Sequence, residues 1–134
     1  MTYTELERYK YIKRRIKGIE NQIAELTVLS ATKYDGMPHG SQTSDSVYVN
    51  FLRYNKLIEK LQFQKKQLIA EEEKITDFIN SIDDIEIQTI IQMKFIELNT
   101  YEEIGDELYM HRTTVVRKLN KFLNDYNNAH NAHK

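Results

Sequence analysis

Residues 83–123 read DDIEIQTIIQMKFIELNTYEEIGDELYMHRTTVVRKLNKFL, and this stretch carries clear signals for where helices begin and end. It predicts three short helices separated by two tight turns. The first helix begins at Asp83, with Glu86 as its capping partner, and the second begins at Thr100 in a Thr-x-x-Glu capping box. The third runs from about 112 to 123. Together they predict a compact three-helix unit.

Apolar residues recur on one face of each of these helices at helical spacing, so the three helices can bury a shared core. The residues expected in this core are Ile87, Ile90, Ile91, Phe95, Ile104, Leu108, Val115, Leu119 and Phe122. The outward face of the third helix is basic and hydroxyl-bearing near its start. A short helix, a tight turn and a helix of this kind suit insertion into a DNA major groove.

The expected DNA contacts fall into two groups. The residues expected to contact bases are Arg112, Thr113, Val116 and Arg117, because arginine can bond guanine O6 and N7 and a methyl group can touch the thymine methyl. The residues placed for phosphates, which fix register without reading sequence, are Thr100, Tyr101, Lys118 and Lys121. The alternative for the two arginines is an ordinary exposed helix surface.

Two heptad patterns precede this unit and predict a long antiparallel coiled-coil hairpin, so the expected fold class is all-α. The first helix, at about 4–30, has the seam Tyr9, Ile12, Ile16, Ile19, Ile23 and Leu26. The second, at about 46–82, has the seam Val47, Phe51, Tyr54, Ile58, Leu61, Lys65, Leu68, Glu72, Ile75, Ile79 and Ile82. Residues 1–82 are therefore expected to form an oligomerisation hairpin.

Residues 31–46 are predicted to form a loop between the two helices, because they contain the single Pro and two of the four Gly. Long loops in compact proteins are usually functional or disordered. The acidic and histidine side chains of this loop are Asp35, His39 and Asp45, and their spacing matches no metal-ligand motif. We expect neither a metal nor a cofactor, and a flexible connector is the simpler interpretation.

The second long helix is more apolar than one partner requires, since Leu52, Leu57, Phe63 and Ile69 lie off its seam. We therefore expect a homodimer through the long helices. The alternative is a monomer whose C-terminal unit packs over these residues.

The composition and the absence of several motifs limit which classes of protein this chain is expected to belong to. The chain carries a net charge of −1, has 40% hydrophobic and 29% charged residues, and contains no cysteine. These values are typical of a folded helical protein without disulfides. We find neither a leader pattern nor an 18-residue apolar run, so the expected location is the cytoplasm. No Gly-rich phosphate loop, nucleophile elbow or catalytic metal pair is present, so we do not expect an enzyme.

Basic residues are concentrated in two acid-free segments, 8–17 and 112–123. A bound phosphate feels charges within about 8 Å at physiological salt, so local basic faces can bind nucleic acid on a neutral chain. The first segment gives a possible accessory basic face formed by Arg8, Lys13, Arg14, Arg15 and Lys17. The alternative is a set of solvated helix faces. The Asn-rich tail 124–134 is expected to fray.

Residues 90–119 resemble the helix-turn-helix in region 4 of bacterial sigma factors. The matching residues are Ile90, Ile91, Phe95, Thr100, Tyr101, Glu103, Ile104, Leu108, Met110, Thr114 and Val115. The whole chain resembles phage late-gene transcriptional regulators of the RinA and ArpU kind. The order agrees: a basic first helix, a loop containing GMPHGS at 36–41, a long helix and the sigma-like unit.

This resemblance implies a sequence-specific phage or prophage regulator that activates late genes as a dimer in the bacterial host cell, with host RNA polymerase as a further partner. One alternative is a small terminase-type DNA-packaging protein. Another is an interaction module that binds RNA polymerase or another regulator without DNA. The chain departs from the sigma pattern at two turns, where Tyr109 and the pair Leu98-Asn99 replace glycine-containing sequences. Of these residues, Asn tolerates the left-handed conformation best.

Overall fold

The computed structural model describes the backbone of residues 1–35 and 41–131 and the side chains of residues 1–31 and 46–131. These parts of the chain form helices and no strand. The helices are α1 (Tyr3–Asp35), α2 (Ser41–Asn80), α3 (Ile85–Ile91), α4 (Tyr101–Leu108) and α5 (Arg112–Asn131), and α3 continues as a π-helical turn, Gln92–Ile96. The predicted all-α class is confirmed. Within the described segments, none of these helices is both long and apolar enough to cross a membrane.

The heptad seam of the hairpin is confirmed. Helices α1 and α2 pack against each other, and no predicted seam position on either helix is exposed. The polar seam residue Lys65 forms an ion pair with Glu20 of α1, at 3.3 Å. Helix α1 begins in a capping box, since the Thr2 hydroxyl accepts the Glu5 N–H at 3.1 Å.

The contacts divide the chain into two compact units, which do not follow the predicted boundary between 82 and 83. The terminal unit comprises Met1–Ile12 together with the chain from Glu71 onward, and the hairpin unit comprises Lys13–Ala70. The start of α1 and the end of α2 therefore belong to the same unit as the three C-terminal helices.

The core of the terminal unit contains most of the residues predicted from periodicity. Its buried apolar side chains are Leu6, Ile12, Ile75, Phe78, Ile79, Ile82, Ile87, Ile90, Ile91, Met93, Phe95, Ile104, Val115, Leu119 and Leu123. Two predictions were wrong, because Leu108 and Phe122 are only half-buried. Leu123 lies four residues after Leu119 and takes the inward position on α5, while the Phe122 ring lies on the flank, 6.4 Å from Phe78. Each fully buried aliphatic side chain contributes about 1.5–3 kcal/mol.

The predicted loop at 31–46 was wrong at both ends, since α1 continues to Asp35 and α2 begins at Ser41. The strong helix breakers of this stretch, two glycines and one proline, all lie at 36–40, whereas the residues on either side are compatible with helix. Residues 36–40 and the side chains of the considered metal set, Asp35, His39 and Asp45, lie outside the described residues.

The predicted fraying of the tail was also wrong for residues 124–131, because α5 extends to Asn131. The last three residues of the predicted tail lie outside the described residues. The Tyr126 ring makes an edge-on contact with Phe78, with centroids 4.9 Å apart, and stacks on His130 at 3.8 Å. The amino group of Met1 donates to Asn127 Oδ1 at 3.1 Å. Aromatic pairs contribute about 0.5–1.5 kcal/mol beyond burial. These contacts extend the helix past 124.

A short junction connects α2 to α3. The Gln88 side chain donates to the Ile79 carbonyl at 2.9 Å. Asp84, and not the predicted Asp83, caps α3, because its Oδ1 accepts the N–H groups of Glu86 at 2.9 Å and Ile87 at 3.3 Å. The predicted cap was therefore wrong by one residue, and the Glu86 carboxylate is left for another partner.

Candidate nucleic-acid interface

An open groove lies between the start of α4 and the first turns of α5. The side chains that line it are Thr100, Tyr101, Glu102, Arg112, Thr113, Val116 and Arg117. The structure thus brings together all four residues predicted to contact bases and two of those predicted to contact phosphates. Glu102 is the one member that sequence reasoning did not assign.

The start of α4 is held by the predicted capping box. The Thr100 hydroxyl accepts the Glu103 N–H at 3.1 Å and donates to the Glu103 carboxylate at 3.1 Å. Because both bonds fix the first turn of α4, they also fix one wall of the groove. The Thr100 hydroxyl hydrogen is donated to the Glu103 carboxylate, so this hydroxyl cannot donate to a phosphate unless the cap rearranges.

Gly105 allows α4 and the start of α5 to approach closely. Its carbonyl accepts the N–H groups of Tyr109 and Met110, the latter at 2.9 Å. A Cβ at this position would lie 2.5 Å from the Met110 carbonyl oxygen and 3.4 Å from the Arg112 nitrogen. Sequence reasoning did not assign this residue a role, although a glycine inside a short amphipathic helix indicates a close backbone approach.

Both turns beside α4 contain a non-glycine residue in the left-handed region. Tyr109 has φ 57° and ψ 44°, as its replacement of the expected glycine implied. At the other turn Leu98 has φ 61°, whereas Asn99 was the residue expected to tolerate this conformation. The left-handed conformation costs about 1–2 kcal/mol for such residues.

Tyr109→Gly is expected to stabilise the protein by about 0.5–1 kcal/mol, because glycine relieves the strain but loses more backbone entropy on folding. Little packing is lost, since Tyr109 is 96% exposed. Urea denaturation at equilibrium measures the change. Tyr109→Ala keeps a Cβ and is the control, expected to leave stability nearly unchanged; a glycine variant no more stable than the alanine variant would show that the turn is unstrained.

His111 caps α5 in the position where Ser or Thr is more usual. Its Nδ1 accepts the Thr113 N–H at 3.2 Å and lies 2.8 Å from the Thr113 hydroxyl oxygen. Its carbonyl accepts the N–H groups of Thr114 at 2.9 Å and Val115 at 3.2 Å. The imidazole therefore orients the first turn of α5, and the Thr113 methyl and the acceptor lone pairs of its hydroxyl remain available to a ligand.

Tyr101 contributes its ring to the groove, but its hydroxyl is used elsewhere. The hydroxyl donates to the Tyr3 hydroxyl at 3.3 Å, and the Lys94 ammonium lies 4.3 Å from the ring centroid. Burial and then the Tyr3 hydrogen bond raise the pKa of the Tyr101 phenol. This geometry disagrees with the predicted phosphate contact, because the hydroxyl is already bonded within the terminal unit.

Lys118 is also placed differently from the prediction. Its ammonium pairs with Glu86 at 2.5 Å and so faces α3 and not the groove. The pair is partly exposed, so it contributes at most about 1 kcal/mol. Lys121, one turn after Arg117, is exposed and remains the lysine of this helix best placed for a phosphate.

The predicted accessory basic face is divided between the two units. Arg8 belongs to the terminal unit and donates to both Glu71 oxygens, at 3.0 and 3.2 Å. The remaining members, all exposed in the hairpin unit, are Lys13, Arg14, Arg15 and Lys17. All five residues lie on α1, and nucleic-acid binding by this face stays a prediction.

No curated protein and no solved structure matches the chain. Residues 27–127 match the model of a family described as protein of unknown function, DUF1492. The matched range runs from α1 through all of α2, α3 and α4 into α5, and so includes the whole groove. Since it spans most of the sequence, the chain belongs to the DUF1492 family.

Proposed function

We propose that this protein binds double-stranded DNA through the groove between α4 and α5 and acts as a transcriptional regulator of a phage or prophage. The supporting observation is that Arg112, Thr113, Val116 and Arg117 line one groove at the start of α5. The first two turns of α5 carry two arginines and two methyl-bearing side chains, which offer both hydrogen-bond and apolar contacts to base edges.

The charges around the groove support arginine-dependent binding. Among the ion pairs of the described residues, Arg8 and Lys118 are engaged and neither Arg112 nor Arg117 takes part. Both arginines are exposed, so their guanidinium groups are available to bases or phosphates. Glu102 lies in the same groove and opposes an anionic ligand. A single copy is expected to bind weakly, which favours two copies acting on two half-sites.

Arg112→Ala combined with Arg117→Ala is expected to weaken binding to duplex DNA by at least about tenfold, since each bidentate base contact is worth about 1–3 kcal/mol. The salt dependence of the affinity should also become shallower, because fewer counterions are released. Fluorescence anisotropy on a duplex identified by footprinting the parent genome, repeated at several salt concentrations, measures both effects.

Two further variants distinguish an effect of the groove from a general effect of the net charge on DNA binding. Lys60→Ala with Lys74→Ala removes two exposed positive charges from α2 and should change affinity little. Glu102→Gln removes a carboxylate from the groove and should strengthen binding by a few-fold, because like-charge repulsion is lost. If the double arginine variant binds DNA with unchanged affinity and salt slope, the proposal that these arginines read DNA is rejected. The alternative function, a protein-interaction module, is then the better account. A ring-shaped assembly in solution would favour DNA packaging over regulation.

A further inference from the structure

A second heptad stripe runs along α2 within the hairpin unit, separate from the seam that faces α1. Its positions are Val49, Leu52, Lys56, Glu59, Phe63 and Lys66, at alternating spacings of three and four. Its apolar members are exposed to an unusual degree, at 62% for Val49, 46% for Leu52 and 62% for Phe63. The charged members are also exposed. A heptad stripe left uncovered in this way is suited to another helix.

The order of residues in this stripe is self-complementary when two copies run in opposite directions. In that arrangement, with a two-fold axis between Lys56 and Glu59, each Lys56 faces the Glu59 position of the other copy. Leu52 faces the Phe63 position, and Val49 faces the Lys66 position. A two-fold interface requires this reciprocity, in which the same pair of residues meets twice.

We propose that a second copy of this chain docks antiparallel on the α2 stripe, with Lys56 and Glu59 pairing across the two-fold axis. A parallel pairing in register would place Lys56 against Lys56 and Glu59 against Glu59, and such like charges are destabilising. The antiparallel pairing converts the same four charges into two ion pairs.

The apolar members supply the free energy of this association, and the charges select its direction. Burying Leu52 against Phe63 on both sides of the axis removes side chains that are 46% and 62% exposed from water. The methylene chain of Lys66 can cover Val49 while its ammonium stays in solvent. None of these side chains belongs to the seam that closes the hairpin, so docking does not require α1 and α2 to separate.

The antiparallel dimer explains how two copies come together, and only its role in DNA binding rests on the proposed function. The solution mass is measured without DNA, so a failure to dimerise and a failure to bind DNA are observed separately. The unmodified chain is expected to show a concentration-dependent dimer by sedimentation equilibrium.

Charge exchange tests the pairing. In the Lys56→Glu variant, a glutamate at position 56 faces Glu59 of the other copy on each side of the two-fold axis, and this repulsion should weaken the dimer about tenfold or more. Glu59→Lys should weaken it similarly, because two ammonium groups then face each other. The double variant Lys56→Glu with Glu59→Lys should restore the dimer. Lys17→Glu, the same charge change on α1, is the control and should leave the mass unchanged. A monomeric unmodified chain, or a double variant weaker than both single variants, would overturn the proposal.

Cysteine pairs test the direction, because the chain has no cysteine of its own. Leu52→Cys combined with Phe63→Cys should give a covalent dimer under mild oxidation, whereas Leu52→Cys alone should not. The two positions lie about 16 Å apart along one helix, too far for a disulfide within a chain. Cross-linking of the single Leu52→Cys variant would indicate a parallel dimer and reject the proposed geometry. Circular dichroism confirms that each exposed-site variant remains folded.

Discussion

Replacing Gly105 with alanine is expected to destabilise the protein by about 1–3 kcal/mol and to weaken the proposed DNA binding along with folding. The new methyl group would lie 2.5 Å from the Met110 carbonyl oxygen, a contact that cannot persist. That oxygen belongs to the backbone of the turn before α5, so relief requires the turn itself to move. Since the turn sets the position of Arg112 and Arg117, the groove changes with it.

Gly18→Ala is the matched control for this substitution. Gly18 lies inside α1, and a Cβ there would meet no atom within 4 Å. The same change should therefore stabilise the protein by about 1 kcal/mol through helix propensity alone. Equilibrium denaturation of both variants gives opposite signs if the turn is as close as described. A Gly105→Ala variant as stable as Gly18→Ala would show that α4 and α5 are not in close approach.

Leu6→Ala is expected to cost about 2–5 kcal/mol, the usual range for a large-to-small change in a core. Leu6 has no exposed surface and lies in the terminal unit with α3, α4 and α5. The neighbouring Tyr3 contacts the Phe95 ring edge-on, with centroids 5.1 Å apart. Residues at the start of α1 therefore stabilise the helices proposed to bind DNA.

The measurement is equilibrium denaturation together with DNA affinity at a temperature where the unmodified chain is fully folded. Leu29→Ala makes the same chemical change on the same helix at a residue that is 44% exposed, and it should cost less than about 1 kcal/mol. If residues 83–123 alone fold and bind DNA as tightly as the full chain, the start of α1 is dispensable and the unit is autonomous.

Periodicity and capping chemistry made much of this fold predictable. Apolar residues repeated every three and four positions fix which face of a helix is buried, and α1 and α2 bury the predicted faces. Thr100 is at a helix start because its hydroxyl can satisfy the Glu103 N–H, and this local bond does not depend on the rest of the fold. The groove residues on α5 were predictable for the same reason, since helical spacing fixes which side chains share a face.

Contacts between distant parts of the sequence were not predictable in this way. The Tyr101 hydroxyl bonds to Tyr3, and the Lys118 ammonium bonds to Glu86; neither partner is close in sequence. Turn geometry was also only partly predictable. Asn99 has the better intrinsic tolerance of the left-handed region, but Leu98 adopts it. At this turn the Asn99 N–H donates to the Met93 carbonyl at 2.9 Å, so the way the preceding helix ends, and not residue preference alone, sets the backbone.

The ion pair between Lys65 and Glu20 fixes the register in which α1 and α2 pair. If α1 slid by one heptad in one direction, Lys65 would face position 13, which is also a lysine; in the other direction it would face Thr27. Either slip exchanges a satisfied half-buried ammonium for a repelled or uncharged neighbour. The aliphatic seam alone would tolerate both slips, so one polar residue makes a repetitive sequence unambiguous.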